Sequence, residues 1–339
     1  MSIDPNPTQY AAWTDGILPA VEEVQEGVWA VPLPMEEGGY VRYTLTYLVS
    51  DSEGGVHVID PGWGLADNVK LLERGFEIAG FSFDQVRSIV SSHLHPDHTG
   101  LAGMIRTRSG APLLVHSIER EAMESGIASS LMVDMVKKLR TWGMPRRERM
   151  RLFRDLWKQR ANRALLNVEA DGVLEDGDLL NIPGRTIRVI HTPGHTEGSI
   201  CLHDEGARTV FTGDTLLPMI FPGIGLGVAA SGGGPDVNPL ARYFASLDRL
   251  AALDVDRVHP GHGYSFGGLA IRCAETVAHH EKRSDEVRII IGRNPRASVW
   301  QVAEQINWTA GWAALKGYMR VSALSQTAMH LGYLEERAA

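Results

Sequence analysis

His93-Leu94-His95-Pro96-Asp97-His98 places four potential metal ligands within six residues, too few for a regular helix. The preceding run, Val86 to Ser92, predicts a buried strand, so the ligands follow its C-terminal end. Active sites of α/β proteins collect at that end of the strands. Alternation along an extended chain puts His93 and His95 on one side, while Asp97 and His98 take another position. This spacing favours two adjacent metal ions.

Three further strand-like runs end in a histidine or an aspartate with glycine beside it. They are Thr192-Pro193-Gly194-His195-Thr196, Phe211-Thr212-Gly213-Asp214-Thr215 and His259-Pro260-Gly261-His262-Gly263. A lone histidine pair is more often structural than ligating, but here seven nitrogen and oxygen donors are available. Donors of this kind without a thiolate suit Zn²⁺, Fe or Mn²⁺, whereas closed structural zinc sites usually recruit cysteine.

These motifs resemble the metallo-β-lactamase-fold hydrolases of the glyoxalase II, lactonase and thioesterase kind. The resemblance extends from about Val28 to about Gly263, in the family's order and approximate spacing. It implies two divalent metal ions, most simply zinc, with iron or manganese as alternatives. Their ligands would be His93, His95 and His195 for the first ion, and Asp97, His98 and His262 for the second.

The resemblance also implies roles for two aspartates. Asp214 would bridge the two ions. Asp60, in Val58-Ile59-Asp60-Pro61-Gly62, matches an aspartate at the end of an early strand that supports the ligand loop without binding a metal. Among the other histidines, His191 and His259 precede ligand loops and could contact the ligands.

The pattern of strands and helices predicts two facing sheets with helices outside, an αβ/βα sandwich of the α/β class. We expect residues 1–269 to form this catalytic domain. The predicted strands are Val28–Pro32, Tyr43–Val49, Val56–Ile59 and Pro112–His116 in the first half, and Ile187–His191, Ser199–His203 and Thr209–Thr212 in a second half that begins near Val173. Predicted helices cover Leu65–Ala79 and Pro239–Leu253.

Residues 270–339 depart from the sandwich and predict a small helical extension. Helical patterns cover Arg272–Arg293, Val299–Ile306 with Ser298 as N-cap, and Ser322–Leu334. The arrangement resembles the winged-helix-like extension found behind some metallo-β-lactamase-fold hydrolases. Because the tail is not strongly basic, packing or a homodimer contact is a better expectation than nucleic-acid binding.

Residues 117–166 form a predicted helical insertion between the two halves of the sandwich. Its second part, residues 137–163, has eleven basic residues against Glu148 and Asp155, a net charge of +9. The whole chain has a net charge of −8, so the remainder is −17. Pro145 suits a first helical turn, and the apolar stripe would be Met150, Phe153, Leu156 and Trp157. The insertion is either a solvated helix face or a lid that attracts an anionic substrate.

The composition fits a cytoplasmic enzyme. The 339 residues are 44% hydrophobic, enough for a large core, and no apolar run approaches the length of a membrane span. The N-terminal residues have neither the basic nor the apolar region of a secretory signal. Only Cys201 and Cys273 are present, which fits a reducing compartment.

The resemblance implies a dinuclear metal-dependent hydrolase that uses a hydroxide bridging the two metals, with Asp97 as the catalytic residue that orients it. An acyl thioester of coenzyme A, a carrier protein or glutathione is the first expected substrate, and a lactone or another ester is the alternative. A β-lactamase is less expected, because true β-lactamases place another residue at the position of Asp214. A ribonuclease or phosphodiesterase would carry further motifs, and a non-catalytic binding protein would normally lose ligands.

The loop after Asp214 is a candidate for an acyl-binding surface. Residues 216–226 are apolar and rich in glycine, and they follow the expected bridging ligand directly. We expect Met219, Phe221 and, beside the last ligand, Tyr264 to contact the substrate.

Overall fold

The computed structural model describes residues 3–35, 41–124, 137–158, 169–226 and 238–338, of which residues 155–158 and 318 are described by their backbone alone. The strands of this part of the chain are β1 Asp4–Pro5, β2 Glu22–Gln25, β3 Val28–Pro34, β4 Tyr43–Ser50, β5 Val56–Ile59, β6 Val86–Val90, β7 Leu113–His116, β8 Gly172–Leu174, β9 Ile187–His191, β10 Ile200–Asp204, β11 Thr209–Gly213, β12 Arg257–Pro260 and β13 Phe266–Gly267. They form two mixed sheets.

Ten α-helices of the described residues surround or follow these sheets. They are α1 Pro7–Asp15, α2 Ala66–Ala79, α3 Pro96–Thr99, α4 Ala102–Ser109, α5 Ser117–Glu124, α6 Arg146–Lys158, α7 Pro239–Ala251, α8 Leu269–Arg293, α9 Val299–Ala303 and α10 Gly317–Glu336. None of them has the length and apolar content that crossing a bilayer requires.

The first sheet has the order β2-β3-β4-β5-β6-β7-β8, antiparallel up to β5 and parallel from β5 onward. Strand β4 lies near its centre and is buried on both faces. Tyr43, Leu45, Tyr47 and Val49 face the second sheet, whereas Leu48 faces the helices, as the alternation of a strand requires. A strand covered on both sides can be apolar along its whole length.

The second sheet has the order β1-β13-β12-β11-β10-β9, in which β11 and β12 are parallel. Its inner face meets the first sheet through Ile187, Val189, Leu202 and Phe211. Helices α7 and α8 cover its outer face, while α2 and α4 cover the outer face of the first sheet. The αβ/βα sandwich predicted from the sequence is therefore confirmed.

Three local predictions need correction. Residues 172–174 were expected to open the second half, but they pair in parallel with β7 and so belong to the first sheet. The ligand stretch forms one helical turn, α3, because Pro96 suits the first position of a helix. The helical tail is longer than predicted at both ends, from Leu269 to Glu336, although its second helix ends at Ala303.

The insertion packs on the C-terminal extension. Leu139, Met144 and Leu152 share one buried cluster with Trp300, Ala303 and Leu324. The predicted apolar stripe is wrong at Met150, which is 62% exposed, and Leu152 takes the buried place. Ser298 is the N-cap of α9 as predicted, and Gln301 completes the capping box. The described part of residues 270–338 contains helices and no strand.

Candidate metal centre

Four strand ends meet at one edge of the sandwich. The stretch with His93 follows β6, the loop of His195 follows β9, Asp214 follows β11 and His262 follows β12. Backbone hydrogen bonds join the two sheets here, because Leu45 N donates to Gly261 O at 2.8 Å and Ile200 N donates to Ser92 O at 2.9 Å. Residues that are far apart in the sequence therefore share one rigid edge.

A first group of donors consists of three imidazoles. His93 Nε2 lies 2.9 Å from His95 Nδ1, and His195 Nε2 lies 3.1 Å from the same His95 atom. His93 and His195 are buried, and His95 is partly open to solvent. Three nitrogens that point at one another at this separation are arranged to bind one cation.

A second group consists of Asp97, His98 and His262. His262 Nε2 lies 3.3 Å from Asp97 Oδ2 and 3.3 Å from Asp214 Oδ1, and His98 Nε2 lies 3.5 Å from the same Asp214 oxygen. The other oxygen of Asp214, Oδ2, lies 3.7 Å from His195 Nε2. The Asp214 carboxylate thus lies between the two groups and turns one oxygen toward each.

The protein fixes each imidazole through its second nitrogen. His195 Nδ1 lies 2.7 Å from Gly223 O, and His262 Nδ1 lies 2.8 Å from Tyr43 O. His95 Nε2 lies 3.4 Å from Leu226 O. When such a ring is neutral and donates to a carbonyl, its other nitrogen carries no proton and is directed at the site, the arrangement that metal-binding histidines usually have.

Asp60 orients two further imidazoles, His98 directly and His93 through the hydroxyl of Ser92. Its Oδ2 lies 2.9 Å from His98 Nδ1 and accepts from Ser92 Oγ at 2.8 Å, and that hydroxyl lies 3.0 Å from His93 Nδ1. Its Oδ1 accepts from Ser92 N at 2.7 Å. The backbone of Asp60 has φ +52°, an unusual value for a residue with a side chain. Backbone strain of this kind is often concentrated at functional sites.

The electrostatics divide the donors into two kinds. Burial lowers the pKa of His93 well below its usual range and that of His195 to about 4, which favours the neutral form of both rings. Burial also opposes the charged form of His262, but the Asp214 carboxylate beside it raises its pKa to about 10. Burial likewise acts against ionised Asp97, yet His98 and His262 lower its pKa to about 2. The second group is thus an ion-paired cluster.

A divalent cation fits the donors that the structure presents. His98 Nε2 and Asp214 Oδ1 are buried and have no hydrogen-bond partner among the described residues. Buried polar atoms normally have a partner, and a cation between these two would supply one to both. Glycine at position 261 is required, because a Cβ there would lie 2.6 Å from His98 Cε1 and 2.8 Å from Asp214 Oδ1.

Sequence reasoning missed Glu119, at the start of α5. This buried carboxylate accepts from Thr196 Oγ1 at 2.6 Å and from Gly198 N at 2.9 Å, on the loop of His195. Burial raises its pKa, while these bonds and one from the backbone of Leu94 act in the opposite direction. Glu119 therefore joins the two ligand loops. Nothing in its local sequence marks this role, since Thr196 and Gly198 are 77 and 79 residues away and Leu94 lies on a different loop.

The three residues expected to contact the substrate differ in burial. Tyr264 is 5% exposed and packs edge-on against Tyr10, so little of its ring faces solvent. Phe221 is partly buried between the guanidinium of Arg272, 4.4 Å from its ring centre, and the ring of His279 at 3.9 Å. Met219 is also partly buried and packs against the core beneath the second sheet.

Arg272 holds the loop that carries Met219 and Phe221. Its Nε donates to Leu217 O at 2.7 Å and its Nη2 donates to Ile220 O at 2.9 Å. The loop is therefore tied to α8, and residues 216–222 take a fixed path beside the donor cluster.

Two facing sheets that gather five imidazoles and two carboxylates at one edge define a class of hydrolase that typically works with bound metal ions. The family model of the metallo-beta-lactamase superfamily matches residues 39–262, so the chain belongs to this superfamily.

Individual relatives agree with this assignment. The chain is 33% identical over 237 residues to the acyl-coenzyme A thioesterase MBLAC2 of Bos taurus, covering 65% of this chain and 73% of that protein. It is 27% identical over 281 residues to the lactamase-like protein adaB of Aspergillus niger, covering 82% of this chain and 68% of that protein.

A solved structure shows the same fold. The crystal structure of a metallo-beta-lactamase family protein from Thermus thermophilus aligns with a TM-score of 0.76, covers 94% of this chain and 96% of that one, and is 24% identical. Nearly the whole chain, including the helical tail, thus has a counterpart in that structure.

Proposed function

We propose that this hydrolase is a dinuclear metal-dependent thioesterase. The observation that carries the proposal is the position of Asp214, whose two carboxylate oxygens face two separate groups of donors. The thioester as the substrate is supported by the similarity to the acyl-coenzyme A thioesterase of Bos taurus. Zinc is the metal we propose first, because five imidazoles and two carboxylates suit it.

His93, His95 and His195 would hold one ion, Asp97, His98 and His262 the other, and Asp214 would contact both. Two divalent ions, when bound, would lower the pKa of a water molecule and polarise the substrate carbonyl. Asp97 is 8% exposed and lies at the accessible side of the second group. Its carboxylate can accept a hydrogen bond from the attacking water and orient it toward the carbonyl carbon. Addition of water and cleavage of the C–S bond give a carboxylic acid and a thiol.

The acyl chain would lie along residues 216–226. Arg272 and His279 hold Phe221 in place, and hydrogen bonds from His195 to Gly223 and from Gly225 to Gly194 join the end of the loop to the donor cluster. An apolar surface fixed beside the donors can bind an acyl chain while the carbonyl reaches the metals. We propose Met219 and Phe221 as contacts there.

A direct test combines metal analysis with a hydrolysis screen. Purified protein should contain two divalent ions per chain, and a crystal structure of that material should show ligand distances near 2.0–2.2 Å to the six histidine and aspartate residues named above and to Asp214. The screen compares acyl thioesters, lactones, simple esters, phosphodiesters and β-lactams. Highest catalytic efficiency on thioesters supports the proposal, and a preference for lactones would replace it with the lactonase alternative. An ion bound only elsewhere would overturn the ligand assignment.

A further inference from the structure

One face of α6 combines exposed arginines with an exposed methionine. At about 100° per residue, Arg146, Arg147, Met150, Arg151 and Arg154 fall within an arc of about 140° on this helix. All five are exposed, and the buried Leu152 lies on the opposite side. We call these five residues the arginine face. In the described part of the chain, Arg146, Arg147 and Arg151 have no ion-pair partner.

Among the side chains of α6 that the structure describes, the other polar ones lie away from this face. Glu148 is partly buried and interacts electrostatically with Arg320 of α10. Arg149 is partly buried, and its guanidinium donates to the carbonyl of Met144. The five residues of the arginine face are therefore cationic or apolar, a composition that protein interfaces favour over the lysine- and glutamate-rich solvated surface.

The arginine face is connected to the metal centre through one helix. Leu152 of α6 packs in the same cluster as Leu324 of α10. Next to Leu324 on α10, Ser325 Oγ donates to Gly225 O at 3.4 Å. The flanking Gly223 and Leu226 carbonyls contact His195 and His95. Packed helices are separated by about 10 Å, so α6 lies about one helix layer away from the loop that borders the donors.

We propose that the arginine face docks an acidic carrier-protein domain, which delivers an acyl thioester to the metal centre on a flexible arm. This inference rests on the proposed thioesterase function. The rest of the chain has a net charge of −17 against +9 for residues 137–163, so charge complementarity favours contact of an acidic partner with this segment over the rest of the chain. The exposed side chain of Met150 gives the docked domain an apolar contact at the centre of the charges.

Two other anionic ligands fit this surface less well. Phosphates of a small molecule such as coenzyme A are usually bound in concave sites, often with backbone N–H groups, whereas the arginine face is the convex surface of one helix. A nucleic acid is a long polyanion and would extend beyond this segment toward the rest of the chain, which has a net charge of −17. A compact acidic domain can contact the arginine face alone.

The experiment uses one acyl group on three carriers. A dodecanoyl thioester is prepared on a purified acidic acyl carrier protein, on coenzyme A and on N-acetylcysteamine. The wild-type protein is compared with the triple variant Arg146→Gln, Arg147→Gln, Arg151→Gln. A matched control replaces three exposed cations of α8, Lys282→Gln, Arg288→Gln and Arg293→Gln.

The triple variant should lose at least about tenfold in kcat/KM on the carrier-protein substrate, mainly through KM, because charge steering raises association rates by about 10–10³. The dependence of this rate on salt should become flatter, since exposed charges are screened within about 8 Å at physiological ionic strength. Hydrolysis of the N-acetylcysteamine thioester should not change in the triple variant, and the control should resemble the wild type on all three substrates.

An unchanged rate on the carrier-protein substrate would overturn the docking proposal. An equal loss on coenzyme A and on the carrier protein would also overturn it, because the arginines would then bind phosphate rather than a protein. Binding is measured separately, by fluorescence anisotropy with a labelled carrier protein that bears a non-hydrolysable acyl amide. If no thioester is hydrolysed, the proposed function fails, while weaker binding by the triple variant alone would still support docking.

Discussion

In the proposed mechanism, Asp97 both binds the second metal ion and orients the attacking water. Its Oδ2 faces His262 Nε2 at 3.3 Å, within the second donor group. Asp97→Asn keeps the size of the side chain but removes its charge. We expect kcat to fall by about two orders of magnitude or more, because the water would lose its acceptor and the second ion a ligand. The measurement is steady-state hydrolysis of a thioester, with metal content and circular dichroism as checks on folding.

Asp67→Asn is the matched control for this prediction. Asp67 lies on α2 with an exposed side chain and forms only a surface ion pair with Lys70, so its activity should equal that of the wild type. Near-normal turnover by Asp97→Asn with two ions bound would show that another group orients the water.

Glu119 tests whether the link between the two ligand loops matters. Thr196 Oγ1 and Gly198 N both donate to Oε1 of Glu119. Glu119→Gln removes the negative charge that strengthens these bonds and replaces the other oxygen with an amide nitrogen, which cannot accept a hydrogen bond. We expect affinity for the metal ions to fall about 10–100-fold, the usual effect of changing a residue that orients ligands. Competition with a chelator measures this affinity directly, and excess metal should restore much of the activity.

The control is Glu121→Gln, an exposed residue on the same helix, which should not change metal affinity. If Glu119→Gln lowers thermal stability but leaves the chelator titration unchanged, Glu119 stabilises the fold without positioning the ligands.

The residues that bear the donors could be predicted from the sequence, because each follows a strand and has a glycine or histidine beside it. Glu119 could not, since only the folded chain brings it to Thr196.

At the scale of elements, the contact between α8 and α10 contains two buried histidines. The rings of His280 and His330 are stacked at 5.7 Å, and His330 Nδ1 lies 2.8 Å from Ser284 Oγ. Burial, together with Arg283 and His279 of α8, lowers the pKa of His330 to about 3. Burial and the neighbouring His330 lower the pKa of His280 well below its usual range.

These shifts predict acid sensitivity. In the unfolded chain, both rings bind protons below the ordinary histidine pKa of 6.5. In the folded chain, their pKa values are lower, so they bind protons only at more acidic pH. Stability from each ring is therefore complete above pH 6.5 and falls by about 1.4 kcal/mol per pH unit below it, for His330 until about pH 3. Urea unfolding of His330→Gln at pH 7.5 and at lower pH should show a shallower loss than the wild type. Parallel pH curves would contradict the assignment.

The basic insertion shows why an element can be predicted without its orientation. Helical spacing indicated that Met150 and Phe153 face the core, but the surface that α6 packs against comes from Trp300 and Leu324. Those residues lie more than a hundred positions later in the chain, so periodicity within the insertion could not reveal which face they cover. Leu152 was buried instead, and Met150 was left at the surface.

At the scale of the whole molecule, residues on both sides of the boundary predicted near residue 269 pack against each other. Leu269 and Cys273 of α8 belong to the same buried cluster as Tyr243 and Leu247 of α7. The insertion completes its own core only with α9 and α10. The order of elements along the sequence predicted the sandwich and the helical tail, but it could not show that the tail supports the loop beside the metal centre.

Truncation after Gly268 tests whether the extension is separable. The shorter chain would lose Arg272, which leaves the Leu217 and Ile220 carbonyls without their donor, at about 1–3 kcal/mol each where they stay buried. It would also expose the apolar face of α7, against a total stability of about 5–15 kcal/mol for a typical protein. We expect it to be largely unfolded and unable to retain metal ions, measured by urea titration and metal analysis. Truncation after Glu336 removes only three terminal residues and should have no effect. If the chain ending at Gly268 kept the urea midpoint and the two ions, the extension would be an independent domain, and the loop at residues 223–226 would need no support from α10.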